Sequence, residues 1–183
     1  MRSLMSTQQY DLLIIGAGVS GTALLYLASR YTDLKHVGII DKYAAPARVN
    51  SLSSNNSQTL HCGDIETNYT LEKALKVQRA ANMLKNYAVR QADAHHIIFK
   101  FPKMVLGVGD DQCRQLRERF EIFSPHYPKL KLLDKKAIAR VEPAVAMQDG
   151  RFREDEIIAL GSTDEYTAVN YEALSNSFVR QAK

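Results

Sequence analysis

Cysteine is scarce in this chain: Cys62 and Cys113 are the only two in 183 residues. That argues against a disulfide framework and a cysteine-built zinc site, and it points to a reducing, cytoplasmic setting. Long apolar runs are absent too. None approaches the ~20 residues needed to cross a bilayer, and the opening MRSLMSTQQ lacks the apolar core of a secretory signal. No charge of one sign dominates. The formal net charge is +4, with 24% charged and 45% hydrophobic residues, as in an ordinary soluble globular chain. Basic residues in 73–90 and 114–136 are interleaved with helical apolar positions. They read as solvated helix faces, with attraction to an anionic membrane surface or an acidic substrate as the other reading. No nucleic-acid module, internal repeat or low-complexity segment is visible. His95-His96 lacks a third ligand, so no metal site is expected.

What the chain does have is concentrated in Tyr10–Gly21, YDLLIIGAGVSG. The apolar run Leu12–Ile15 feeds a glycine-rich turn, and apolar Val19, Ala23, Leu24 and Leu27 continue as a helix. Gly16 permits the tight turn, Gly18 lets backbone approach phosphates, and Gly21 lets helix and strand pack closely. The helix N-terminus adds oriented N–H groups and partial positive charge. A second strand, His36–Ile40, ends in Asp41, placed to accept hydrogen bonds from a ribose hydroxyl. This is a βαβ dinucleotide-binding opening. A carboxylate at that place disfavours a 2′-phosphate and with it NADP, while NAD and FAD both remain open on the motif alone.

Beyond it, Tyr43–Tyr69 is long, polar and rich in Asn, Ser and Thr, and reads as a functional loop. A helix is expected over Thr70–Arg90 with Leu71, Leu75, Leu84 and Ala88 inward, then two short strands within Ile97–Val108, broken at Pro102. Asp110–Phe123 reads as a helix with Leu116, Phe120 and Phe123 inward. Leu130–Leu133 reads as a strand and Lys135–Val141 as a short helix. A loop-rich stretch to Val169 precedes a last helix capped by Asn170. No later segment reads as a buried parallel strand, so the doubly wound sheet is left unfinished.

Several of these passages resemble one family. Gly16–Gly21 with Asp41-Lys42, then SSNNSQTLHCG (Ser53–Gly63) and DIETNYT (Asp64–Thr70), is similar to the malate:quinone oxidoreductases. These belong to the D-amino-acid-oxidase-like group of FAD enzymes. N-S-x-x-x-H-x-G also resembles the flavin loop of the related L-2-hydroxyglutarate oxidases, and LLDKKAIARVEPAV (Leu132–Val145) is similar to a passage that recurs in the group.

The resemblance implies an α/β fold: a Rossmann-like FAD-binding domain, incomplete here, with part of an inserted α+β substrate domain. Residues 1–94 would open the FAD domain, 95–160 would belong to the insertion, and 161–183 would return to the FAD domain. Gly16, Gly18, Ser20 and Gly21 would surround the FAD pyrophosphate, and Asp41, with Lys42 beside it, would hold the adenosine ribose. Asn55, Asn56, Ser57 and Thr59 match the loop passing pyrophosphate and flavin, and His61 matches a histidine close to the flavin. Gln58 stands where many members have glycine. The activity implied is oxidation of (S)-malate to oxaloacetate, with FAD as cofactor and membrane quinone as acceptor, by an enzyme peripheral on the inner face of a bacterial membrane. The chain alone is expected to be an inactive N-terminal portion, since the catalytic base and substrate arginines are not identifiable in it. An L-2-hydroxyglutarate oxidase and a non-catalytic nucleotide-binding module are the alternatives. An NAD-dependent dehydrogenase would leave Ser53–Gly63 without a role.

Overall fold

The computed structural model describes residues 9–182. In chain order the elements are β1 (Leu12–Ile15), α1 (Val19–Tyr31), β2 (Val37–Ile40), α2 (Leu71–Ala88), α3 (Ala94–Ile97) and β3 (Ile98–Lys100). There follow β4 (Lys103–Val108), α4 (Gly109–Phe123), β5 (Lys131–Leu133), α5 (Lys135–Val141) and α6 (Pro143–Ala146). Last come β6 (Met147–Gln148), β7 (Arg151–Phe152), β8 (Ile157–Ser162), β9 (Tyr166–Val169) and α7 (Tyr171–Gln181). The described residues form two compact units, one of 9–58, 91–97 and 169–182, the other of 59–90 and 98–168. Helix α2 lies in the second unit, where Ala74 joins its core.

The first unit opens with β1 and β2 paired in parallel, Leu12 beside Val37 through Ile15 beside Ile40. A parallel pair needs a crossover, and α1 supplies it. Helix α1 buries small residues. Thr22 and Ala28 are buried, whereas Leu24 and Leu27 are each nearly half exposed. Helix α7 packs along α1, with Tyr26 and Phe178 ring centroids 5.5 Å apart, and Arg180 reaches Asp93 at 2.6 Å. Asn170 caps α7 by accepting from Ala173 N, as its side chain predicts.

The second unit is built on an antiparallel sheet in the order β4-β8-β5. Every residue of β8, IIALGS, is buried. The strand is paired on both edges and covered on both faces. Ile158 and Leu160 pack with Leu116, Phe123 and Ala74, while Ile157 and Ala159 pack with Ile138 and Ala146. Strand alternation sends successive side chains to opposite faces, so two covered faces require apolar residues throughout. The loop expected up to Val169 is thus two strands, β8 and β9. Helix α2 keeps the expected face: Ala88 is buried and Leu71 and Leu75 pack against the core, with Ala74 and Ala81 buried as well.

Candidate cofactor site

In the first unit the three motif glycines have distinct geometries. Gly16 turns with φ +103°, a conformation costly for a side chain, and its N–H donates to Ile40 O at 2.8 Å. Gly18 is extended, φ −72°, and a Cβ there would meet only Ser51 Oγ at 3.4 Å. At Gly21 a Cβ would lie 1.9 Å from the Gly16 carbonyl oxygen and 3.4 Å from Ile14 Cγ2. Only glycine lets α1 start this close to β1. Gly18 makes no side-chain cap, so the first amides of α1 face the turn without one. Val19 N donates instead to Ser51 Oγ at 2.9 Å.

Asp41 closes the turn. Its Oδ2 accepts from Ala17 N at 2.6 Å and its Oδ1 from Tyr43 N at 3.0 Å. The N–H of Ala17 above all, then that of Tyr43, holds this exposed carboxyl below the usual carboxylate range. An ionised carboxylate retains further lone pairs, so ribose hydroxyls can still donate to it. Ser20 is exposed in the first turn of α1, and Lys42 lies 5.0 Å from the Tyr43 ring centroid.

The polar loop is self-bonded. Asn55 Nδ2 donates to Val49 O, and Asn56 Nδ2 to Asn50 O and Leu52 O. Both side-chain amides shape the loop, and Ser57 is exposed on it. Gln58, at φ +55°, connects this loop to the start of α7 through its Oε1, which accepts from Tyr171 N at 2.9 Å. Glu172 accepts from Ser53 Oγ and pairs with Arg48 at 3.6 Å.

Thr59 and His61 fall in the second unit. Both are exposed, and His61 Nδ1 lies 2.8 Å from Glu66 Oε1. Lys103 is buried against Asp64 at 2.6 Å and Glu165 at 3.4 Å. Burial alone would lower its pKa, but Asp64 and its neighbours outweigh that and raise it. Cys62 is half-buried, and desolvation pushes its thiol up, away from the thiolate a redox role needs. A cavity of about 200 Å³ lies beside it, bounded by Lys85, Lys100, Tyr127, Lys129 and Glu165. Lys100 and Lys129 both bond Asp164. Ser51 and Glu172 were not legible in the sequence because each works through a distant partner that no local pattern announces.

A parallel βαβ start, a glycine turn open to backbone approach and a terminal carboxylate define the class: a dinucleotide-binding α/β protein. The solved structures it is similar to agree with that fold. They include glycine oxidase from Geobacillus kaustophilus (TM-score 0.67, 18% identical, covering 96% of this chain and 45% of that one). Another is L-alpha-glycerophosphate oxidase from Mycoplasma pneumoniae, with FAD bound (TM-score 0.63, 20% identical, 96% and 43%). The family model for malate:quinone oxidoreductase matches residues 8–183, and the chain belongs to that family. It is 43% identical to a probable malate:quinone oxidoreductase of Campylobacter jejuni, over 98% of this chain and 41% of that protein. It is 39% identical to the malate:quinone oxidoreductase of Helicobacter pylori strain 26695, over 96% of this chain and 39% of that protein. The chain thus spans about two-fifths of the length of these relatives.

Proposed function

We propose that the whole protein oxidises (S)-malate to oxaloacetate with FAD as cofactor and passes the electrons to quinone. The observation that carries this reading is the family match over residues 8–183, together with a glycine turn whose shape fits the cofactor. The fit is steric and electrostatic. The space where a Gly18 Cβ would stand is open apart from Ser51 Oγ, and the α1 amides and the Asp41 carboxylate flank it. Gly16, Gly18, Ser20 and Gly21 would hold the diphosphate on the helix N-terminus, and Asp41, beside Lys42, the ribose. The Asn55–Ser57 turn, with Thr59 and His61 after it, would line the cofactor's further course. Bound there, FAD supplies the hydride acceptor for the alcohol carbon.

The 183 residues contribute the cofactor cradle and part of a substrate domain. Arg48 is held by Glu172 and Lys103 by Asp64, which supports placing the carboxylate-binding arginines elsewhere in the whole protein. Residues 1–94 and 161–183 are assigned to the FAD domain and 95–160 to the insertion as a proposal about the parent fold. Quinone dissolves in the membrane, so we also place the enzyme peripherally on its inner face. Among the described residues no helix is long and apolar enough to cross a membrane.

The test uses the full-length protein. It should purify with flavin absorption, bleach anaerobically on adding malate, and regain colour with a soluble quinone. Bleaching by L-2-hydroxyglutarate but not by malate would overturn the substrate, and a protein that never retains flavin would overturn the cofactor.

A further inference from the structure

Gln58 adopts a left-handed backbone, φ +55°. A non-glycine residue there carries a cost of about 1–2 kcal/mol, so something must offset it. The hydrogen bonds of Gln58 do. Its backbone N–H and its Nε2 both donate to Asn56 Oδ1, at 2.8 and 2.6 Å, and Nε2 also reaches Ser53 O at 3.3 Å. Its Oε1 accepts from Tyr171 N, and its backbone carbonyl accepts from Val169 N at 2.7 Å. Asn56 relays the chain onward by donating to Asn50 O and Leu52 O. One continuous network thus runs from the first turn of α7 through Gln58 into residues 50–56.

We propose that Gln58 is the positioning residue of the polar loop, clamping Ser53 and Asn56 to the N-terminus of α7 so that the loop is shaped before the cofactor arrives. The proposal rests on the reading of this loop as part of the FAD site. Organising a loop in advance removes an ordering cost from binding, so losing the clamp weakens affinity more than stability. Glutamine suits the task because it presents two donors and one acceptor on a side chain long enough to span both partners. Glycine satisfies the φ demand alone and leaves the Tyr171 N–H without its acceptor.

Two variants of the full-length protein separate the explanations. Gln58→Gly relieves the backbone and deletes the clamp, whereas Gln58→Met keeps the side-chain length and deletes its polar atoms. Both should raise the FAD dissociation constant about tenfold, equivalent to about 1.4 kcal/mol. Both should also speed hydrogen exchange at the Tyr171 amide in the ligand-free protein, leaving amides within α1 unchanged. Gln58→Gly should do so with an unchanged Tm, since relief of the left-handed strain offsets the lost bonds. Wild-type affinity in Gln58→Gly would mean that backbone shape alone matters and would overturn the proposal. So would unaltered exchange at Tyr171 in both variants. Failure of the FAD reading looks different: the wild type retains no flavin, and the exchange measurement still decides whether Gln58 fixes the loop.

Discussion

Replacing Gly21 by alanine should damage folding, whereas the same change at Gly18 should damage binding. At Gly21 the new Cβ would lie 1.9 Å from the Gly16 carbonyl oxygen and 3.1 Å from its carbon. Heavy atoms pack at about 3.5 Å, so helix and turn must separate by roughly 1.6 Å. The turn is poorly placed to yield. Gly16 N is tied to Ile40 O at 2.8 Å, and Ala17 O accepts from Ala47 N at 2.9 Å. Overpacking strain of about 1–3 kcal/mol and one lost backbone hydrogen bond of about 1 kcal/mol give about 2–4 kcal/mol for Gly21→Ala. At Gly18 the Cβ meets only Ser51 Oγ at 3.4 Å, an ordinary contact, with φ −72°. Gly18→Ala should therefore cost about 0.5 kcal/mol, yet it fills the space through which, on the proposed reading, a diphosphate would approach. Urea unfolding followed by circular dichroism measures the first quantity and flavin retention the second. Equal midpoints for Gly21→Ala and wild type would refute the close-packing argument. Greater destabilisation by Gly18→Ala than by Gly21→Ala would refute the division of roles.

Lys103→Met removes the partner of Asp64, which is only 1% exposed, and should destabilise the second unit by about 3–5 kcal/mol; Asp64→Asn should restore part of that loss in urea unfolding. Because the Lys103 pKa is raised above 10.5, the pair's contribution is complete below that pH and is lost as pH climbs through the higher folded value. Asp41 shows the opposite sign. Its pKa is lowered from 3.8, so its anchoring is complete above 3.8 and lost as pH falls through the lower folded value. Acid-induced flavin release should follow that fall in the wild type, and Asp41→Asn should release flavin already at neutral pH. The sheet face bearing Leu13 and Ile15 is bare, with Ile15 83% and the adjoining Ile40 50% exposed. The isolated 183-residue chain should self-associate, and Ile15→Lys with Ile40→Lys should shift it toward monomer by light scattering.

The legible parts of the fold were those whose cause is local. The βαβ start could be read because the apolar run, glycine turn and acid each act within a few residues. The structure gives Gly16, Gly18 and Gly21 the turn, the open approach and the close packing that their spacing implied. Strand β8 was missed for the opposite reason. Its residues are buried by α4 on one face and by α5 and α6 on the other, and a short run such as IIALGS does not reveal that two layers will cover it. Helix α2 was legible in part: Leu71, Leu75 and Ala88 lie inward as their spacing implied, while the buried Ala74 and Ala81 gave no such signal.

The candidate site divides along the same line. Gly16, Gly21 and Asp41 act through neighbours that the βαβ geometry fixes, so their roles follow from spacing. Asn55 and Asn56 were read as groups offered to a ligand, yet their amides are bonded within the loop, to Val49, Asn50 and Leu52. Polar composition alone cannot distinguish a loop that presents its side chains from one that holds itself rigid with them. Gln58 is where the distinction becomes physical. As a departure from glycine it suggested only a backbone made harder to approach. Its left-handed φ explains why glycine suits the place, and its bonds to Ser53, Asn56 and Tyr171 explain how a glutamine can replace it. The residue that looked like the weak point of the motif joins the loop to α7, alongside the Ser53–Glu172 hydrogen bond.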